Sequence, residues 1–368
     1  MTEAAHDIVH LTGPVLATRG GSRPEAWIID GRMTYARPGR AAARTLPGWA
    51  IPGLVDAHCH LGLVAGGAAD DVETLRQART DAAAGTLLVR DCGTVAETRW
   101  LDARGDVPRV LRAGRHIART RRYLRGVAVE VEPEGLVEAV RKEARAGDGW
   151  VKLVADWIDR SAGDLAPAFP AAVVRAAVEA AHEEGARVTA HSFAEETIDD
   201  LLDAGIDCIE HATGLLPRHV PRLVEQGVPI VPTLVNIATF PDIAARAAAK
   251  FPDYAAHMRA LWERRLERVA EAHEAGVRIY AGTDAGTVIA HGRLPEEVAL
   301  LAQAIGPEAA LDAASWGARA WLGAPGLGEG DPADLLVLDA DPRRDVATLA
   351  RPRSVLRDGI EVGGASWE

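Results

Sequence analysis

The chain has 368 residues, enough for one barrel-sized domain of roughly 250 residues with a satellite, or for two ordinary domains. Its balance of apolar and charged residues is that of a soluble globular protein, and a formal net charge of −12 without any extended basic block excludes a phosphate-tracking face for nucleic acid. Three scattered cysteines are no disulfide framework, and no run approaches the roughly 20 apolar residues of a membrane span. The stretch Met1-Thr-Glu-Ala-Ala-His-Asp7 lacks the basic and apolar regions of a secretory leader, so the expected location is cytoplasmic, with no membrane partner.

From about Ile8 to Trp49 the chain reads as short strands and turns, with a tight hairpin expected at Asp30-Gly31. The C-terminus reads the same way: Ala333 to Asp339 is strand-like, and a second hairpin turns at Asp358-Gly359. Segments 1–50 and 327–368 are therefore expected to pair into one small composite β domain, with 51–326 inserted between them.

The inserted part alternates strand-like and helix-like stretches. Strands are predicted at 54–58, 86–91, 109–114, 151–155, 187–191, 208–211, 229–233 and 278–284. Alanine-rich helices are predicted between them, among them 171–184, 255–275 and 308–322; in the first, Val174, Ala177, Val178 and Ala181 recur at helical spacing. This α/β pattern favours a (β/α)8 TIM barrel, with the terminal segments as a small β-sandwich. No Gly-x-Gly-x-x-Gly follows the first strand and no phosphate loop is present, which disfavours a nucleotide-binding sheet.

Candidate ligands fall where the strands end. His58 and His60 are two apart on a strand and share a face, while Cys59 points away. His191, His211 and Asp284 end the fifth, sixth and eighth strands, and a barrel gathers such positions on one face. Imidazole and carboxylate suit Zn²⁺ or a similar ion. Each has a plainer reading: a hydrogen-bonded core histidine for His191 or His211, a helix or turn cap for Asp284. Lys152 in the fourth strand is one of three lysines in the chain. A buried, deprotonated lysine reacts with carbon dioxide to give a carbamate that bridges two metals, whereas pairing with a carboxylate is the alternative.

Pro-Gly-Leu-Val-Asp-Ala-His58-Cys-His60, Val-Lys152-Leu, Ala-His191, Ile-Glu-His211, Ala-Gly-Thr-Asp284-Ala-Gly and Asp331-Pro-Ala-Asp-Leu-Leu-Val-Leu-Asp339 resemble, in order, the motifs of the amidohydrolase superfamily. The likeness covers nearly the whole chain and is nearest to its imidazolonepropionase-like and Xaa-Pro dipeptidase-like branch. It implies one metal on His58, His60 and Asp284, a second on His191 and His211, and N6-carboxylated Lys152 between them. It also implies hydrolysis of a C–N bond by metal-activated hydroxide, with Asp284 as general base and then general acid. Two departures put a dipeptide substrate in doubt. Lys152 is followed by Leu-Val-Ala-Asp156-Trp157 rather than a glycine-containing segment, and Ser192-Phe193 replaces the usual second histidine and glycine.

A small-molecule substrate is expected, one with a carboxylate if the arginines of the loop Arg115-His116-Ile-Ala-Arg119-Thr-Arg121-Arg122-Tyr123-Leu-Arg125 recognise it; a solvated basic loop is the alternative. The resemblance places His116 against the substrate, in a catalytic role. Arg119, Arg122, Trp157, Phe193 and Asn236 are the remaining substrate candidates, with Asp156 and His291 weaker. His182, His219, His257 and His273 fall on predicted helices and read as surface or cap residues. A one-metal deaminase, a lactonase and a metal-free barrel scaffold are the competing functions, and a homo-oligomer is compatible with the sequence.

Overall fold

The computed structural model describes residues 8–364, so the extreme ends of both terminal segments (1–7 and 365–368) lie outside it. The terminal segments pair. Val9–Thr18 runs antiparallel to Gly21–Ile29 and beside Trp49–Pro52, which in turn takes Leu335–Leu338 antiparallel, giving one hydrogen-bonded sheet of eight strands. Leu11, Ile28, Met33, Leu46, Leu335 and Leu356 pack together in its core. Both expected hairpins form. Asp30 and Gly31 have φ of 55° and 73°, and Asp358 and Gly359 have 49° and 77°. Two successive left-handed residues are what a two-residue turn needs to match the twist of its strands.

The segment between is α/β with parallel pairing. Leu54–Cys59, Thr86–Asp91 and Arg109–Arg112 form one parallel run. Ile117–Arg119, Trp150–Val154, Arg187–Ser192, Cys208–His211 and Ile230–Val231 belong to a second. Helices including Asp71–Ala83, Leu136–Ala146, Ala171–Glu183 and Glu195–Ala204 lie between the strands in the chain. Every residue of Leu54–Cys59 and Thr86–Asp91 is buried, as expected of parallel strands covered on both faces. Val174, Ala177, Val178 and Ala181 are the buried stripe of their helix.

Three elements depart from expectation. The third strand stops at Arg112 and resumes at Ile117, because Gly114 turns the chain with a φ of 67°. Segment 278–284 is not a regular strand: Ile230 N–H donates to Arg278 O at 3.0 Å, Ala57 N–H to Ala281 O at 2.8 Å and Asp284 N–H to His58 O at 2.7 Å. It therefore joins both flanking strands by a few isolated bonds, and Asp284, at φ 57°, leaves strand geometry. The expected helix 308–322 is two, Pro307–Ala314 and Trp316–Trp321, broken at Ser315, whose hydroxyl donates to Pro52 O at 2.9 Å. Among the described residues no helix is long and apolar enough to cross a membrane.

Candidate active site

His58 and His60 leave their strand on the same side, and the Nε2 atoms of both lie 3.1 Å from one oxygen, Oδ1 of Asp284. Asp284's other oxygen accepts from the Asn236 amide at 2.6 Å. Lys152 Nζ, 3% exposed as a residue, is 3.3 Å from His58 Nε2. The His211 ring is centred 5.1 Å from that of His58 and 4.6 Å from that of His191. Ligand atoms of His58, His211 and Asp284 lie within 4.8 Å of one another. The six expected ligands thus meet in one place, although Asp284 and His211 come to it through positive φ, 57° and 64°. Such backbone persists only where surroundings over-determine it.

Those surroundings are visible. His58 Nδ1 lies 2.9 Å from Glu210 Oε2, and Glu210 Oε1 accepts from Arg90 at 2.5 Å and from the Thr189 hydroxyl. Arg90 is itself sandwiched on the ring of Trp150, 4.5 Å from its centroid. The carbonyl of Gly93 takes Nδ1 of both His60 (2.6 Å) and His116 (3.1 Å). A carbonyl only accepts, so His60 presents an unprotonated Nε2 to the centre when neutral. Gly93 is irreplaceable there: at φ 104° an added Cβ would sit 2.4 Å from His116 N. His211 Nδ1 bonds the Thr233 hydroxyl at 2.7 Å. Asp56 accepts from His58 N at 3.1 Å and from Thr283 N and Oγ1 at 3.0 and 2.6 Å, bracing the first strand against segment 278–284.

Burial pushes the pKa of His191 and of His211 well below the imidazole range, so both are neutral. Burial works against the Asp284 carboxylate, but the His58 ring beside it leads the contacts that hold the group well below the usual carboxylate range. Burial likewise opposes ionised Glu210, and Arg90 overrides it. Neutral imidazole and ionised carboxylate are the states that bind metal. His191 Nε2 is moreover buried without a hydrogen-bond partner. Donor types, protonation and an unspent nitrogen all fit a divalent ion of the zinc kind.

Residues 49–360 match the model of the Amidohydrolase family. The chain belongs to that family. An uncharacterised protein of Mycobacterium tuberculosis (strain ATCC 25618 / H37Rv) is 52% identical over 342 residues, 92% of each chain. A solved Xaa-Pro dipeptidase with methionine bound in its active site superposes with a TM-score of 0.81 at 21% identity, over 97% of this chain and 100% of that one. A putative prolidase from Bifidobacterium longum superposes with 0.80 at 24% identity, over 97% and 96%. These amidohydrolases have a TIM-barrel-type fold, which the chain shares. It is a hydrolase of C–N bonds.

Around the amidohydrolase centre the other candidates divide. His116 is 1% exposed, edge-on to His60 with centroids 5.6 Å apart. Trp157 and Phe193 stand 5.4 and 4.2 Å from the His191 ring. Asn236 is on Asp284, as above. Arg119 donates to Ala168 O at 3.1 Å, and Arg122 to Asp159 at 2.6 Å. Asp156 is buried, accepts from Ser192, Phe193 and Ala194, and lies 3.8 Å from His191 Nε2. His291 is apart from the centre, on Asp81 at 2.7 Å. Among the helical histidines, His182 is exposed, but His219 is buried at the head of Val220–Gln226 and His257 bridges Asp164 and Glu195. Glu210, Gly93 and Thr233 went unnamed in sequence. Glu210 carried a signal: a carboxylate inside the strand Cys208–His211 must have a buried partner.

Proposed function

We propose that this amidohydrolase is metal-dependent and cleaves an amide C–N bond of a small molecule. His58, His60 and Asp284, with His191, His211 and carboxylated Lys152, would hold one or two divalent ions such as Zn²⁺. When bound, such ions polarise a carbonyl and draw the pKa of water toward neutrality. The observation that carries the reading is the convergence of two Nε2 atoms on one Asp284 oxygen, 3.1 Å each, with neutral His191 and His211 alongside. Lys152 is buried at the same place, its Nζ 3.3 Å from His58 Nε2, where a carbamate would reach the histidines.

Asp284 is the residue to take the proton of the attacking water and to deliver it to the leaving nitrogen. Asn236 holds its Oδ2, so Oδ1 is aimed at the histidine pair. His116 and the rings of Trp157 and Phe193 would face the substrate. In the same reading the parallel strands close into a (β/α)8 barrel over 51–326, supported by the bonds of segment 278–284 to both flanking strands. Segments 1–50 and 327–368 would be the small β-sandwich domain. Solved neighbours of this fold include an ochratoxinase and a molinate hydrolase, alongside the prolidases.

Elemental analysis of the purified protein, paired with hydrolysis of a panel of N-acyl amino acids, dipeptides and cyclic amides, tests this. Near-stoichiometric zinc-type metal, and turnover lost to a chelator and regained on adding metal, are the expected results. Full turnover in thoroughly metal-free protein would overturn it.

A further inference from the structure

Two features of the site bear on which amide it accepts. His116 stands edge-on between His60 and Tyr123, with ring centroids 5.6 and 5.2 Å away. Its Nδ1 lies 3.1 Å from Gly93 O. Because the carbonyl only accepts, Nδ1 carries the proton, and a neutral imidazole then has its lone pair at Nε2. That Nε2 is buried and has no partner among the described residues. It is an acceptor without a donor, and buried acceptors of this kind are normally paired.

On the His191 side, three aromatic rings make a continuous wall. Tyr123 and Trp157 are centred 4.7 Å apart, and Trp157 and Phe193 6.3 Å apart. Their rings lie 6.0, 5.4 and 4.2 Å from that of His191. Tyr123 and Trp157 are half-buried and keep accessible surface, whereas Phe193 is buried. Arg119 and Arg122, beside this wall, are each engaged by protein acceptors.

We propose that the substrate is a secondary amide whose N–H is accepted by His116 Nε2 and whose aromatic or bulky apolar group lies against Tyr123 and Trp157. This rests on the amide-hydrolysis reading and narrows it. The reaction adds water across the C–N bond, releasing a carboxylic acid and a primary amine. An Xaa-Pro bond is a tertiary amide with no N–H, so the chain disfavours it.

The test uses metal-loaded full-length protein and four amides of one primary amine, with an aromatic or an acetyl acyl group, each as the N–H and the N-methyl form. The N–H form is expected to exceed the N-methyl form in kcat/KM by at least about tenfold, and the aromatic to exceed the acetyl by about tenfold or more. His116→Phe, which keeps a ring, should erase the first ratio; Trp157→Ala should shrink the second. Calorimetric binding of a matched pair of inert sulfonamides, N–H and N-methyl, reads the His116 contact without turnover. Equal turnover of N–H and N-methyl amides, or equal sulfonamide binding, overturns the proposal while leaving amide hydrolysis standing. Should no amide be turned over by metal-replete protein, the amide reading itself fails, and the sulfonamide pair still decides the His116 contact.

Discussion

Glu210 Oε2 lies 2.9 Å from Nδ1 of His58, and the same carboxylate is tied through its other oxygen to Arg90, with both residues fully buried. The pair therefore backs the His58 ring at Nδ1, opposite the Nε2 that faces Asp284. Partners in this position typically change metal affinity 10- to 100-fold when lost.

Glu210→Gln is accordingly expected to weaken metal retention by roughly one to two orders of magnitude. It also leaves the Arg90 guanidinium buried without its counter-charge, a loss of about 3–5 kcal/mol for broken buried pairs. Metal occupancy under competition with a chelator and thermal unfolding measure the two effects. Unchanged values for both would show that Glu210 orients nothing.

Asp284→Asn keeps an oxygen for Asn236 and the histidines to face but cannot take a proton. Metal content should be largely retained while kcat falls by about 10²–10⁴-fold. Wild-type turnover in this variant would assign proton transfer to another residue.

Lys152→Ala removes the amine 3.3 Å from His58 Nε2. At least one metal per chain should be lost, and short carboxylates added to the buffer should restore part of the activity. A fully metallated and active variant would rule out a carbamate role.

Glu297 is fully buried, and its two oxygens accept from Leu234 N at 2.9 Å and Val235 N at 2.8 Å, so it clamps the segment that carries Thr233 and Asn236 to the centre. Burial raises its pKa to about 8. The folded state thus holds a proton that the unfolded state releases near the ordinary glutamate pKa of about 4.3. Stability tied to this group is full below the unfolded pKa and falls as pH rises toward 8. Glu297→Gln, which cannot ionise, should gain in Tm relative to wild type as pH goes from 5 to 8. A pH-independent difference between the two Tm curves would mean that Glu297 does not titrate in this window.

Much of the centre was legible because its signals are local. A strand repeats every two residues, so His58 and His60 had to share a face, and Asp30-Gly31 and Asp358-Gly359 are dipeptides that accept left-handed backbone at both positions. Lys152, His191, His211 and Asp284 were readable from strand ends and from the motifs around them. The expected helix 308–322 proved to be two, because Ser315, where it breaks, bonds a carbonyl of Pro52 far away in sequence.

By itself, then, the sequence determined which residues are ligand types, on which strands they sit, and to which superfamily their order points. The tertiary structure alone decided how they are held. Glu210 reaches Arg90 across 120 positions, and Asn236 reaches Asp284 across 48. Gly93 O meets two histidines 56 positions apart in the chain, and Arg122 turns to Asp159 rather than lying free in solvent. Periodicity and propensity are properties of neighbours along the chain, whereas these bonds depend on ångström distances between segments, which only the packed core sets.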